Sequence, residues 1–175
     1  MVILGIDPAI RTTGYGVIEA GAGGKFSVID CGVIANSQKL PHSQCVRRLH
    51  LGICELINTF HPDCAVLEEP FVGKNAKTAI ILGMARGGIL SALVNHNIPA
   101  FAYNPSVAKR AATGHGGADK SRIAFLLSAE FNISVDQIPL DSTDALALAL
   151  CHIQRMQYPE LGGNSRTAVH WSGWK

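Results

Sequence analysis

Apolar residues run from Val2 to Ile6, interrupted only by Gly5, and stop at the carboxylate of Asp7 and at Pro8. An apolar run bounded by Pro and Gly predicts a buried strand. The segment Ala9–Gly14 followed by apolar Tyr15 to Ile18 predicts a tight loop and a returning strand. Beyond the Gly21-Ala22-Gly23-Gly24 turn, Phe26 to Ile34 predicts a third strand and so a three-stranded antiparallel meander. Asn36 to His42 is a polar linker. From Ser43, apolar Val46, Leu49, Ile53, Leu56, Ile57 and Phe60 recur at helical spacing until His61-Pro62-Asp63 stops the helix. Cys64 to Leu67 is a short buried strand that ends on Glu68-Glu69, repeating the strand-then-acid pattern of Asp7. A strand that follows a crossover helix lies parallel to the first, so both acids are expected at one edge of the sheet.

Ala76 to His96 predicts a long helix whose Gly83, Gly87 and Gly88 imply close approach of another backbone, either the sheet or a second subunit. Ile98 to Tyr103 is the fifth strand. Pro105 opens a short helix, Ser121 to Phe131 forms another, and Pro139 precedes a last helix with Asp141 and Asp144 in or just before its first turn. A spacing of three puts those two acids on one face. The pattern is that of an α/β domain over residues 1–157, with a polar, Gly- and Ser-containing tail over 158–175.

Chemistry enters through the acids. An ionised Asp7 at a central strand end needs a cation, a hydrogen-bond array or solvent, unless it only orders its turn. Asp141 and Asp144 equally read as helix caps. If Asp7, Glu68, Asp141 and Asp144 gather, they repel and raise one another's pKa values unless divalent cations sit between them. Oxygen ligands without Cys or clustered His favour magnesium or manganese over zinc, and two such ions about 4 Å apart hydrolyse phosphodiesters. Setting those four acids aside, nine acids remain against fifteen Lys and Arg, so the formal charge of +2 becomes +6 on the rest of the surface. That suits a polyanionic substrate. The glycine-rich stretch Thr113 to Lys120, flanked by Lys109, Arg110 and Arg122, could approach a phosphate, although it lacks the P-loop spacing.

At 175 residues the chain fits about one domain. No uninterrupted apolar run reaches the roughly 18 residues of a membrane span, and the first residues lack a signal-peptide pattern, so a cytoplasmic protein with no membrane association is expected. Five scattered cysteines without a C-x-x-C pair read as reduced core thiols.

The ordered set Leu4-Gly5-Ile6-Asp7-Pro8, Thr13-Gly14-Tyr15-Gly16-Val17, Leu67-Glu68 with Phe71 and Lys74-Asn75, Gly83-x-Ala85-Arg86-Gly87, Gly114-x-Gly116-x-Ala118-x-Lys120-Ser121 and Asp141-x-x-Asp144-Ala145-Leu146-Ala147 resembles the RuvC family of bacterial Holliday-junction resolvases. The resemblance implies a ribonuclease-H-like fold with a mixed five-stranded sheet flanked by helices, and a homodimer. It implies two Mg2+ ions, replaceable by Mn2+, on Asp7, Glu68, Asp141 and Asp144. It further implies symmetric nicking of four-way junction DNA in recombination and repair, with RuvA and RuvB as branch-migration partners. Carried over, Lys120 contacts the phosphate near the cut, with Lys109 beside it, Phe71 stacks at the junction centre, and Lys74, Arg110 and Arg122 belong to the DNA-binding surface. Ala9, where the family commonly has Gly, and Glu69-Pro70 depart from the pattern.

Three other readings compete. An actin-like ATPase opens with a similar strand and Thr-Gly turn, but needs two such domains. A non-catalytic junction-binding module has little reason to hold four repelling acids. A ribonuclease H acting on RNA:DNA hybrids shares the acids but not the loop ending in Lys120.

Overall fold

The computed structural model describes residues 1–21, 25–69, 75–158 and 167–169. Strands β1 (Val2–Asp7), β2 (Thr12–Ala20) and β3 (Phe26–Ala35) form the expected meander, and helix α1 (His42–Phe60) crosses to β4 (Cys64–Glu68). Helix α2 (Ala76–Asn95) leads to β5 (Ala100–Tyr103), followed by α3 (Pro105–Thr113), α4 (Lys120–Phe131), a 3-10 turn (Leu140–Ser142) and α5 (Thr143–Gln157). The sheet order is β3-β2-β1-β4-β5, extended by a three-residue strand β6 (Thr167–Val169) antiparallel to β5. β4 runs parallel to both β1 and β5, which makes the sheet mixed. The segment 167–169, read from sequence as part of a tail, thus supplies one more edge strand.

Period-two alternation places two cores on opposite faces of this sheet. Ile3, Ile18 and Val66 face α3, α4 and α5, whereas Leu4, Ile6, Val17, Ala65 and Leu67 face α1 and α2. Helix α5 is buried at Thr143 and from Ala145 through Ile153, so it lies across the sheet as a core element. Full burial of a side chain such as Leu146 contributes about 1.5–3 kcal/mol relative to exposure.

Glycines on β1 and β2 set how closely α5 can lie. Gly5 pairs with Gly16, and Asp7 with Gly14. A Cβ at Gly5 would run into the carbonyl of Ala145, one at Gly14 into the carbonyl of Asp141, and one at Gly16 would lie 2.5 Å from Leu146 Cδ2. Three bare positions therefore let the 3-10 turn and the start of α5 rest directly on the strands that carry Asp7.

The loop after Asp7 is fixed by side chains. The Thr13 hydroxyl, fully buried, donates to the Ala9 carbonyl at 2.6 Å and accepts from the Ala9 N–H at 3.2 Å. Buried Asn36 donates to the Ile10 carbonyl at 2.9 Å, and Arg11 donates to the carbonyl of Leu40 at 3.0 Å. These bonds satisfy backbone groups that leave the ladder at the sheet edge.

Of the three glycines in α2, only Gly88 makes the predicted close approach: a Cβ there would lie 2.9 Å from Val46 Cγ1 on α1. Gly83 and Gly87 have nothing within 4 Å among the described residues, so the described sheet is not their reason. α2 is long and apolar enough, by length and composition, to cross a membrane. It buries Ala85, Gly88, Ile89, Ala92 and Leu93 while Ile80, Met84 and Val94 stay exposed.

All five cysteines are free, with Cys45, Cys64 and Cys151 buried. His152 is also buried on α5. It shares a 2.8 Å hydrogen bond with the Tyr103 hydroxyl and packs against Phe101, and burial pushes its pKa down to about 4, so it is neutral.

Candidate active site

The carboxylates arrive from three directions. Asp7 ends β1, Glu68 ends the parallel neighbour β4, and the 3-10 turn and first turn of α5 bring Asp141 and Asp144 over the same end of β1, where Gly14 pairs with Asp7. The alternative that Asp141 and Asp144 are helix caps does not hold. The residue at the cap position, Ser142, makes no side-chain cap bond, and both acids turn to lysines.

Lys120, first residue of α4, places its Nζ 3.0 Å from Asp141 Oδ1 and 3.9 Å from Asp144 Oδ2. Lys109 on α3 reaches Asp144 Oδ1 at 3.7 Å, an ion-pair distance too long for a hydrogen bond. That oxygen is buried and has no hydrogen-bond partner among the described residues. A buried, unsatisfied carboxylate oxygen is expensive in a folded protein and marks a position where a ligand completes the site.

The electrostatics agree. Burial, followed by the charges of Asp7 and Asp144, pushes Glu68 up to about 7. Asp7 is also raised, by burial first and then by Asp144, with Lys120 acting the other way. The contact between the two carboxyls raises Glu68 further and lowers Asp7, so of the pair Glu68 is the one that holds a proton more readily. Burial pulls Lys120 down, but its bond to Asp141 and the charges of Asp144, Asp141 and Asp7 outweigh that and leave it raised.

Four hard oxygen donors with repelling charge and one orphaned oxygen fit a divalent cation of the magnesium type. Among the described residues, no three His, Cys, Asp or Glu side chains stand close enough to form a coordination shell as they are. Asp141 and Asp144 pair instead with Lys120 and Lys109.

Of the other residues singled out from sequence, Arg110 and Arg122 are exposed on α3 and α4 and take no part in the ion pairs of the acid cluster. Phe71, Lys74 and Pro70 lie outside the described residues. Glu69 continues past β4 and donates its N–H to the Tyr103 carbonyl at 2.8 Å. Sequence reading assigned no role to Arg86, yet its guanidinium donates to the Glu68 carbonyl and lines a small pocket of about 140 Å³ together with Asp7, Pro8, Glu68, Glu69 and Leu82. Only its place in a motif could have flagged it, because helical periodicity does not say which turn of α2 passes the strand end.

Residues 3–152 match the sequence model of the family described as crossover junction endodeoxyribonuclease RuvC. The chain is 42% identical over 153 residues to the crossover junction endodeoxyribonuclease RuvC of Caldicellulosiruptor saccharolyticus, covering 87% of this chain and 92% of that one. It is 39% identical over 155 residues to the enzyme of the same name from Chlorobium phaeovibrioides, covering 89% and 82%. Its structure is similar to that of Thermus thermophilus RuvC in complex with Holliday junction substrate, with a TM-score of 0.80 and 32% identity over 90% of this chain and 96% of that one. The fold is accordingly ribonuclease-H-like. On this combined agreement of sequence and fold, the chain belongs to the RuvC family of crossover junction endodeoxyribonucleases.

Proposed function

We propose that this chain resolves Holliday junctions in DNA recombination and repair, nicking two strands symmetrically by metal-dependent hydrolysis. The observation that carries the reading is one electrostatically coupled group, with Glu68 facing Asp7 and Asp144, Asp7 facing Asp144 and Asp141, and Lys120 paired to Asp141 and Asp144, in which one Asp144 oxygen has no hydrogen bond among the described residues. Asp7, Glu68, Asp141 and Asp144 would hold two Mg2+ ions, or Mn2+ in their place. When bound, these ions activate the attacking water and stabilise the leaving oxygen of the phosphodiester.

The chain's own groups supply the rest. Asp7 and Glu68 lie on strand ends and orient the donor oxygens; burial first, and then the charges of the neighbouring acids, raise both pKa values, and a bound cation would offset both effects. Lys120 stands over the cluster with its side chain 40% exposed, close enough to the acids to meet a non-bridging phosphate oxygen as charge develops. Lys109 has the same position on the α3 side. Arg110 and Arg122, exposed nearby, attract the flanking DNA backbone without reading sequence. Phe71 stacks on an unpaired base at the junction centre, with Lys74 on the adjacent phosphates.

Two cuts placed symmetrically require two sites, so the working form is a homodimer. Support comes from the face of α2 where Gly83 and Gly87 meet nothing among the described residues and Ile80 and Met84 are exposed. Across such a bare stripe a second copy's helix can approach closely. RuvA and RuvB deliver the junction, and the DNA substrate places the enzyme in the cytoplasm. Residues 1–157 carry the nuclease, and Thr167–Val169 from the segment beyond them adds an edge strand to its sheet.

The test uses end-labelled four-way junction, plain duplex and RNA:DNA hybrid, each with Mg2+ and with chelator. Paired nicks on the junction alone, abolished by chelator, are expected. Preferential cleavage of the hybrid would return the chain to ribonuclease H chemistry, and cleavage in chelator would remove the metal.

A further inference from the structure

Glu68 is the acid whose backbone has lost its sheet partner. Its neighbour on the β5 side is secure, because the Glu69 N–H donates to the Tyr103 carbonyl at 2.8 Å. On the β1 side the parallel ladder ends with Ile6 opposite Leu67. The next residues of β1 are Asp7 and Pro8, and Pro8 has no N–H with which to continue it. The Glu68 carbonyl points into that gap, and the Arg86 guanidinium, reaching over from α2, donates to it.

The geometry points to Arg86 as a positioning residue that takes the place of the missing ladder bond and holds Glu68 where its carboxylate can share a cation with Asp7. Arg86 sits between buried Ala85 and Gly88 on α2, so its backbone is pinned to the face packed on α1 and its reach is defined. Its guanidinium lines the same pocket of about 140 Å³ as Asp7, Glu68 and Glu69, on the α2 side of the sheet, opposite Lys109 and Lys120. A planar fork with several donors can hold a carbonyl while remaining beside carboxylates, which a point-charged lysine does less well. The inference rests on the reading of Glu68 as a metal ligand.

The test compares Arg86→Gln, Arg86→Lys and Glu68→Gln with wild type in the full chain. Readouts are single-turnover junction cleavage at saturating DNA, junction affinity in chelator, Mn2+ binding to DNA-free protein by calorimetry, and the melting curve. Arg86→Gln is expected to cleave about 100-fold more slowly, the scale of an ångström-level misplacement. Its Mn2+ binding should weaken at least threefold and its junction affinity stay within threefold. Arg86→Lys, which keeps the charge and one donor, should recover part of both losses and is the variant read if Arg86→Gln does not fold.

A wild-type rate and Mn2+ affinity per folded molecule would overturn the inference, as would a loss of junction affinity as large as the loss of cleavage, which makes Arg86 a DNA contact. If Glu68→Gln cleaves normally, the reading of the site itself fails. If Glu68→Gln is inactive while Arg86→Gln is normal, only the role of Arg86 fails.

Discussion

Gly14→Ala tests whether close seating of the acid-bearing turn makes the active site. Gly14 pairs with Asp7, and its missing Cβ faces the Asp141 backbone. A methyl there would overlap the Asp141 carbonyl oxygen and lie 2.8 Å from its carbon and 3.2 Å from Ser142 Cα. These are backbone atoms and cannot rotate away. Non-bonded carbon atoms prefer about 3.5–4.0 Å, so the turn must retreat by the order of an ångström, carrying Asp141 and Asp144 away from Asp7. Overpacking of this kind costs about 1–3 kcal/mol of stability, and an ångström of misplacement lowers the chemical rate by about 100-fold. No charge changes, so junction binding should hold. Gly16→Ala is the internal comparison, because its closest contacts, at 2.5 and 2.7 Å, are with the Leu146 side chain, which can change rotamer, and its one backbone neighbour, Leu146 Cα, lies at 3.2 Å and need give only a few tenths of an ångström. Urea melts and single-turnover cleavage at saturating junction measure both terms. Gly14→Ala should lose far more cleavage per folded molecule than Gly16→Ala. Equal, near-wild-type rates in the two variants would refute the claim that this seating sets the site.

Lys120→Ala should slow cleavage by roughly 2 to 4 kcal/mol of barrier if Lys120 acts as an oxyanion-type contact, measured at saturating junction, and an unchanged rate removes it from the site. His152, at about 4 in the folded chain against an ordinary 6.5, binds its proton first in the unfolded state. Its contribution is therefore complete above pH 6.5 and is lost as pH falls from there toward 4, by about 2 kcal/mol at pH 5. His152→Gln should lack this part of the pH dependence, read from urea melts of both proteins at pH 7 and pH 5, and identical slopes would show the shift to be absent. Phe71→Ala should keep its stability within about 1 kcal/mol while cleavage falls, because a stacking ring contributes roughly 1–3 kcal/mol per base. A stability loss of about 3–5 kcal/mol with normal cleavage would instead place Phe71 in the core.

Much of the fold was legible because the apolar period changes cleanly at Asn36 and again at Cys64, and because Pro and Gly mark the turns between. The order of strand, acid, helix, strand, acid put Asp7 and Glu68 on parallel neighbours before any coordinates. Asp141 and Asp144 were harder, since a D-x-x-D pair at a helix start is equally a cap, and only the lysines facing them decide the matter. Gly5, Gly14 and Gly16 are visible as residues, but their purpose depends on which helix lies over them, a long-range fact. Arg86 was hidden for the same reason, since its value lies in a carbonyl orphaned by Pro8 nearly eighty residues earlier. The strand at 167–169 carries too short an apolar signal to separate from a tail.

The central claim is that the acid cluster, through bound divalent cations, does the hydrolysis, and Asp7→Asn tests it most directly. This change removes one carboxylate charge at the end of β1 beside the turn before α5 and leaves the basic surface intact. With end-labelled four-way junction and Mg2+, wild type is expected to give paired, symmetric nicks. Asp7→Asn is expected to bind the junction as well or better, having one fewer negative charge, while losing most cleavage. Wild-type cutting by Asp7→Asn would contradict the account.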